Sequence, residues 1–303
     1  MPEGPEVAMT RDYLYYKLKN TTIKKITVLK GRYVHNPIKG IEHIDGKNIT
    51  IKDINSKGKF LWFELDLDGV NGYIMNTLGL SGSWGFIRNN NSKVKFTIKR
   101  KNKLYNLYFN DQINYGTLKI TTDISELNEK INSIEIDLLK SDYNEKTISK
   151  FINSFIDKKV TNKDTLIVDF MMNQNKGESL GSGLGNYLVP EILYHSKLSP
   201  YRKLGSLTEQ DIKILTGNIK KTIKLAFYKN DTGYMKKFTD FLNTYETLIK
   251  NNKFSKYLKD VNINEEKFVF NVYSKTKDNC GNDVRIDIII GGRKTHWVPN
   301  IQK

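Results

Sequence analysis

Residues 181–193 read GSGLGNYLVPEIL, and this stretch decides how the second half of the chain is organised. Gly183 and Gly185 let the backbone come close to another chain or to a phosphate. Asn186 then opens a helix to Ser196, where its side chain and the first N–H groups can hold an anion. A simple helix cap is the plainer reading of the same residue, and the stretch alone leaves both standing. The chain turns at Ser199-Pro200, and a longer 3.6-residue pattern runs over 208–229. Thr208 and Asp211 resemble a capping pair, with Asp where Glu or Gln is usual. The result is a helix, two turns and a helix.

Working outward, residues 148–156 carry the same helical period. The first half has a different texture. Pro5 and Glu6 suit the first turn of a helix, and Val7, Leu14 and Leu18 continue it as one stripe. Strand-like runs follow at 23–29, 49–54, 60–67, 72–78, 94–98, 104–109 and 116–120, separated by Gly, Asn and Asp turns. Such a series after one helix predicts an antiparallel sandwich or barrel. Residues 230–266 are rich in Lys and Asn with amphipathic helical character. The tail returns to strands at 268–273 and 284–290. The expected division is a β-sandwich domain at 1–125, a linker at 126–147, a helical domain at 148–266 and a terminal hairpin at 267–303.

The chain has 303 residues, enough for two domains, with 38% apolar content. Forty-nine Lys and Arg stand against 33 Asp and Glu, a net charge of +16. That excess favours a polyanion partner, nucleic acid first, although a lysine-rich solvated surface has the same composition. A single cysteine, Cys280, excludes an internal disulfide framework and fits a reducing compartment. No apolar run is long enough to span a membrane, and the N-terminus has no secretory pattern.

Three further motifs carry chemistry. Residues 1–7 read MPEGPEV. With Met1 removed, Pro2 presents a secondary amine that is partly deprotonated near neutral pH and can attack a carbonyl-like carbon. Glu3 follows, placed to move a proton beside that amine. In SKGKFLWFEL (56–65), Lys59 stands at the start of an apolar strand and can reach a phosphate or a leaving group. In GGRKTHWVP (291–299), Gly291 and Gly292 make a hairpin tip with Arg293 at its end, suited to a phosphate or groove contact. Each motif also has a bland reading: an arbitrary terminus, a strand-start lysine, a solvated turn.

Taken in order, MPEGPEV, GKFLW (58–62), LGLSG (78–82), GLGN with PEIL (183–193), VYSK (272–275) and GGRKT (291–295) resemble the formamidopyrimidine-DNA glycosylase and endonuclease VIII family. The resemblance runs from residue 2 to residue 302. It implies an α+β multidomain fold. An N-terminal antiparallel β-sandwich is capped by helices, and a helix–two-turns–helix domain ends in a β-hairpin finger. It implies Pro2 as nucleophile, Glu3 as acid/base, Glu6 as helper at the helix start and Lys59 as catalytic lysine. Asn186 becomes the phosphate clamp and Arg293 the finger arginine.

Two departures stand out. The family's usual finger holds zinc through two CxxC pairs, whose positions here fall on Lys277, Cys280, Val298 and Ile301. One cysteine cannot make a tetrahedral zinc site, so the finger resembles the zincless finger of an endonuclease VIII-like branch, and no cofactor is expected. Strand pairing and Trp297 then take over the metal's role. The second departure is in the residues that fill the space of an extruded base. LGLSG supplies Leu80, and NDQINYG (110–116) supplies Ile113 and Tyr115; Leu80 and Tyr115 can fill the space, while the arginine that pairs with the orphaned base is missing.

The resemblance implies a bifunctional DNA glycosylase and abasic-site lyase. Its substrates would be oxidised pyrimidines and ring-opened or hydantoin purines. Its partner would be damaged DNA, duplex or single-stranded, with no membrane association and a monomeric state. The expected setting is intracellular: the nucleus or cytoplasm of a eukaryote or virus-infected host, otherwise a bacterial cytoplasm. The competing classes are a non-catalytic DNA-binding module, which would not need Pro2, Glu3 and Lys59 together, and an RNA-binding protein, which leaves the N-terminus unexplained.

Overall fold

The computed structural model describes residues 2–44, 46–228 and 266–303. They form two compact units. One holds Pro2 with Glu6–Asn132, and the other holds Glu3–Pro5 with 133–228 and 266–303. The division falls inside the segment expected as a linker, and the terminal hairpin groups with the helices. The expected helical character of 230–266 lies outside the described residues, Glu266 excepted.

The first unit takes up α1 (Gly4–Leu18) from Glu6 onward, followed by eight strands. These are β1 (Thr22–Val28), β2 (Ile49–Lys57), β3 (Phe60–Leu67), β4 (Val70–Thr77), β5 (Ser83–Gly85), β6 (Ser92–Arg100), β7 (Lys103–Asn110) and β8 (Thr117–Thr121). Their order is β5-β7-β6-β1-β2-β3-β4-β8, with every pairing antiparallel. Burial alternates along β2 and β3 with period two, the signature of strands with one face on a core. The sheet folds over on itself. Trp84 on edge strand β5 meets Phe63 on β3 at 5.5 Å between ring centroids, although four strands separate them in the sheet. A flat sheet would hold them roughly 24 Å apart, at about 4.8 Å per strand. Phe96 and Phe109 complete this aromatic centre at 5.2 and 5.1 Å from Trp84. The indole N–H donates to Asn76 Oδ1 at 3.0 Å, so the one polar atom of a fully buried Trp is satisfied. Strand β5 has no sequence signature, because three residues that follow Gly82 and end in Gly85 show no period. Helix α2 (Ile124–Asn132) closes the unit where a linker was expected.

The second unit is helical. Its elements are α3 (Glu145–Lys158), α4 (Ile167–Met172), α5 (Leu188–Ser196) and α6 (Glu209–Tyr228). Asn144 and Thr147 cap α3 reciprocally. Thr208 and Asp211 do the same for α6: Thr208 N–H donates to Asp211 Oδ2 at 2.9 Å, and Asp211 N–H to Thr208 Oγ1 at 3.1 Å. Asp substitutes for Glu here, and Arg202 Nη2 pins it at 3.0 Å. Between α5 and α6, Lys197 adopts φ 56 and Arg202 N–H closes a turn on the Ser199 carbonyl at 3.0 Å. The expected helix, two turns and helix are therefore present. The chain ends in an antiparallel hairpin of β9 (Arg285–Ile290) and β10 (Arg293–Trp297).

Two expectations need correction. The strand expected at 268–273 is irregular chain. Its N–H groups at Asn271, Val272 and Tyr273 donate to the buried Glu191 carboxylate at 2.9, 2.9 and 2.8 Å, so they are not available to a ladder. Asn186 also does not open α5. It lies in a turn, with Tyr187 in the cap position before Leu188.

Candidate functional site

In the first unit, Pro2 is buried, and Glu6 is 2% exposed in the first turn of α1, where its charge complements the helix dipole. Thr10 Oγ1 donates to the Glu6 carbonyl at 2.8 Å, one turn on. Lys59 is half-buried at the tip of the β2–β3 hairpin. Lys57 pairs with Phe60, which leaves a two-residue loop of Gly58 and Lys59, with Gly58 at φ 54. Glycine in the first loop position is what a tight hairpin of this hand needs, and it presents Lys59 at the very end.

The candidate void-filling residues come together. Leu80 is 43% exposed, Ile113 42% and Tyr115 64%, and it is their grouping into one exposed patch, not the exposure of any one of them, that is informative. Ser81 Oγ donates to Asp111 Oδ1 and receives the Ile113 N–H at 3.1 Å. Asp111 Oδ2 accepts the Gly116 N–H at 2.7 Å. Gly79, at φ +60, packs so closely on Tyr115 that an added Cβ would sit 2.8 Å from the Tyr115 carbonyl carbon. Two loops far apart in sequence thus form one rigid tip carrying three apolar side chains. Sequence reading found the apolar residues but not Ser81 and Asp111, which hold them.

In the second unit, Glu3 is fully buried, and its carboxylate receives the N–H groups of Tyr187 at 2.9 Å and Leu188 at 3.3 Å. It therefore supplies the cap that α5 lacks from its own chain neighbours. Gly4 N–H donates to the Gly183 carbonyl at 2.8 Å, and a Cβ on Gly4 would lie 2.9 Å from Gly183 Cα. Glycine at both places permits that approach. Gln174 braces the loop from behind. Its Oε1 accepts the Gly183 N–H at 2.8 Å, and its Nε2 donates to the Leu184 carbonyl at 3.1 Å. Asn186 is half-buried on this braced turn beside the Glu3-capped helix start. Tyr187 packs edge-on to Phe268, Phe270 and Tyr273. Burial, and then the Glu3 charge, push the Tyr273 phenol above its ordinary value. His296 lies 5.2 Å from Tyr273 between ring centroids, and burial, then Lys294, lower its affinity for a proton.

Arg293 stands exposed immediately after Gly291 and Gly292, whose φ values of 48 and 76 form the hairpin tip. The zinc implied by the family does not fit this hairpin. Lys277 is paired with Asp283 at 2.8 Å, Val298 is completely buried, and Cys280 is exposed. Among the described residues no group of three or more His, Cys, Asp or Glu is placed to hold a metal. Two carboxylates clip the region instead. Asp278 receives the N–H groups of Cys280 at 2.9 Å and Asn282 at 2.8 Å, Asn282 Nδ2 at 2.9 Å and the Tyr194 hydroxyl at 3.0 Å. Asp287 receives the Trp297 indole N–H at 2.8 Å, the Tyr201 hydroxyl at 3.0 Å and Arg285 Nε at 2.9 Å. Burial opposes ionisation of both, but these donors prevail and hold the two carboxyls below their ordinary value. Burial and the bond to Asp278 push the Tyr194 phenol up to about 12.

Comparison with known proteins agrees with this architecture. A family model described as the formamidopyrimidine-DNA glycosylase N-terminal domain matches residues 1–118, and one for the C-terminal domain of the same family matches 259–303. The chain belongs to the formamidopyrimidine-DNA glycosylase family. It is 26% identical over 327 aligned positions to a formamidopyrimidine-DNA glycosylase of Prochlorococcus marinus, covering all of both chains. It is equally close to one from Ligilactobacillus salivarius, covering all of this chain and 99% of that one. Among solved structures, a Lactococcus lactis formamidopyrimidine-DNA glycosylase bound to abasic-site DNA superposes with a TM-score of 0.70 at 21% identity, over 99% of each chain. MutM in complex with DNA containing carbocyclic 8-oxoguanine superposes at 0.71 and 22%, over both whole chains. These two share the fold. Among the described residues no helix is long and apolar enough to cross a membrane.

Proposed function

We propose that this protein is a bifunctional DNA glycosylase and abasic-site lyase that removes oxidised bases from damaged DNA. The observation that carries the reading is the start of the chain. Pro2 offers a secondary amine once Met1 is removed, and the next residue, Glu3, is anchored by the backbone of α5. An amine nucleophile needs a fixed position more than it needs a lowered pKa, because an α-amino group is already partly deprotonated near neutral pH. Membership of the family and the relatives named above support the substrate class.

The damaged nucleotide leaves the stack, and Leu80 and Tyr115 fill its place. The Pro2 nitrogen forms a bond to C1′ of the sugar as the bond from C1′ to the base breaks, and the base departs with a proton. Glu3 and Glu6 are the carboxylates assigned to that proton and to opening of the sugar ring. Ring opening leaves an iminium joining Pro2 to C1′. Loss of a C2′ proton then expels the 3′ phosphate, and a second elimination expels the 5′ phosphate. Water releases the proline. Lys59 stabilises negative charge at a phosphate or at the lesion, while Asn186 and Arg293 hold the strand. The basic surface supplies salt-sensitive, sequence-independent affinity.

Borohydride reduction during reaction with an abasic duplex tests this chemistry. A covalent adduct on the N-terminal peptide is the expected result, absent when the amine is acetylated. Undiminished adduct with a blocked amine overturns Pro2 as nucleophile. DNA binding with no adduct and no nicking would leave the non-catalytic binding module as the answer.

A further inference from the structure

A second basic and aromatic site lies within the first unit, at the opposite end of its strands from the Leu80–Tyr115 tip. Between Asp68 and Asp111 the sequence has no acidic residue and seven cationic ones: Arg88, Lys93, Lys95, Lys99, Arg100, Lys101 and Lys103. Four of these crowd the β6–β7 hairpin, where Arg100 pairs with Lys103 and Ile98 with Tyr105. Directly opposed residues share a sheet face, as do residues two apart on a strand. Arg100, Lys103, Ile98 and Tyr105 therefore share one face. There the last turn of α1 closes a cavity of about 330 Å³, lined by Leu18, Phe86, Ile98 and Tyr105, with Lys17 and Arg100 at its polar side. That volume is at the small end for ligand sites, about 300–1,000 Å³. The walls are set by aromatic contacts: Phe86 stands edge-on to Tyr13 at 6.0 Å, and Lys17 lies over Tyr13 at 5.9 Å. Tyr105 nevertheless keeps 46% of its surface exposed. From Tyr105 in this pocket to Asn110 at the end of β7, which leads into the Ile113–Tyr115 loop, is about 17 Å, five residues at the rise of a strand.

We propose that this pocket binds an unpaired strand of nucleic acid, stacking one base on Tyr105 and Phe86 while Arg100 and Lys17 hold the adjoining phosphate. Aromatic faces beside a cationic track are what sequence-tolerant binding of single strands requires. Duplex bases already stack on one another and leave no free face for Tyr105 or Phe86, so the occupant is unpaired. The absence of acids through 69–110 excludes a basic peptide by like-charge repulsion. An acidic peptide would satisfy the cations but leave the aromatic walls unused. The inference does not depend on chemistry at Pro2.

The test uses the full-length protein and a twelve-residue oligothymidylate in which single positions carry 5-iodouracil. Irradiation, digestion and mass spectrometry map the contact, and fluorescence anisotropy measures affinity. The expected adducts fall on peptides bearing Phe86 or Tyr105. Tyr105→Ala and Arg100→Gln should each weaken oligothymidylate binding about tenfold, a typical cost of losing one stacked base or one charge-assisted contact. Tyr105→Phe should bind as the native protein does. The log–log salt slope should fall by about 0.7 in Arg100→Gln. Adducts confined to other segments, or unchanged affinity in both Tyr105→Ala and Arg100→Gln, would overturn the proposal. So would a twelve-residue polyglutamate that binds as tightly as the oligothymidylate, since that would make the site an acidic-peptide surface. If Tyr105→Ala fails to fold, Arg100→Gln and the adduct map decide.

Discussion

The indole N–H of Trp297 donates to the carboxylate of Asp287 at 2.8 Å, linking the end of β10 to the middle of β9. The Tyr201 hydroxyl reaches the same oxygen at 3.0 Å, and its ring meets Trp297 edge-on at 5.6 Å. Strand pairing and Trp297 were the expected substitutes for zinc. The carboxylate that receives Trp297 was not anticipated.

Asp287→Ala should therefore loosen the hairpin. Hydrogen bonds to a charged group contribute about 1.5–3 kcal/mol each, and the loss here leaves the part-buried Trp297 indole N–H without its acceptor, while water replaces the acceptor of the exposed Tyr201 hydroxyl. Solvent discounts that sum, since the Asp287 side chain keeps 15% of its surface exposed. Amide exchange in β9 and β10 should accelerate well before global unfolding. Equal protection in variant and native protein would assign the hairpin's stability to backbone pairing alone.

Acid should undo the same clips. Asp278 and Asp287 both have carboxyls held below their ordinary value of 3.8. A carboxyl whose folded pKa is depressed adds stability above its unfolded pKa and loses it as pH falls through the folded value. Local stability of 278–297 should hold from neutrality down to about pH 4 and then decline. Exchange measurements from pH 7 to pH 3 check this, and a decline already complete by pH 5 would contradict it.

Purified protein should carry no zinc. Of the four positions where the family places ligands, only Cys280 has a thiol, and it is exposed. Elemental analysis should find well under one zinc per chain, and chelators should leave DNA nicking unchanged. A stoichiometric zinc lost together with activity would show that another ligand set has been recruited.

Arg293→Ala should weaken affinity for lesion duplex by roughly ten- to a hundredfold, from charge-assisted bonds of about 1.5–3 kcal/mol at 1.4 kcal/mol per decade. The salt slope should flatten by about one unit, and the melting temperature should not move, because an exposed tip residue buries little. Unchanged affinity with an unchanged melt would mean that the tip does not touch DNA.

Much of this molecule was legible in its sequence, for a definite reason. Alternation in FLWFEL, the helical stripe of 148–156 and the Thr208–Asp211 cap are local signals, set by neighbours within a few residues. The order of short motifs pointed to the family, and the glycines at 291 and 292 announced a tip for Arg293. What stayed hidden was the destination of buried carboxylates. Nothing local says that Glu3 caps a helix starting 185 residues later, or that Glu191 withdraws the N–H groups of 271–273 from a strand. Nor does anything local say that Asp111 and Ser81 bind two loops into one tip. A carboxylate buried away from water must find donors, and which donors it finds depends on elements brought together only by the whole fold. The sequence by itself determined the long periodic elements and singled out the residues proposed to do chemistry, because both are local signals. The tertiary structure decided which backbone groups each acid holds, and so where those residues are held.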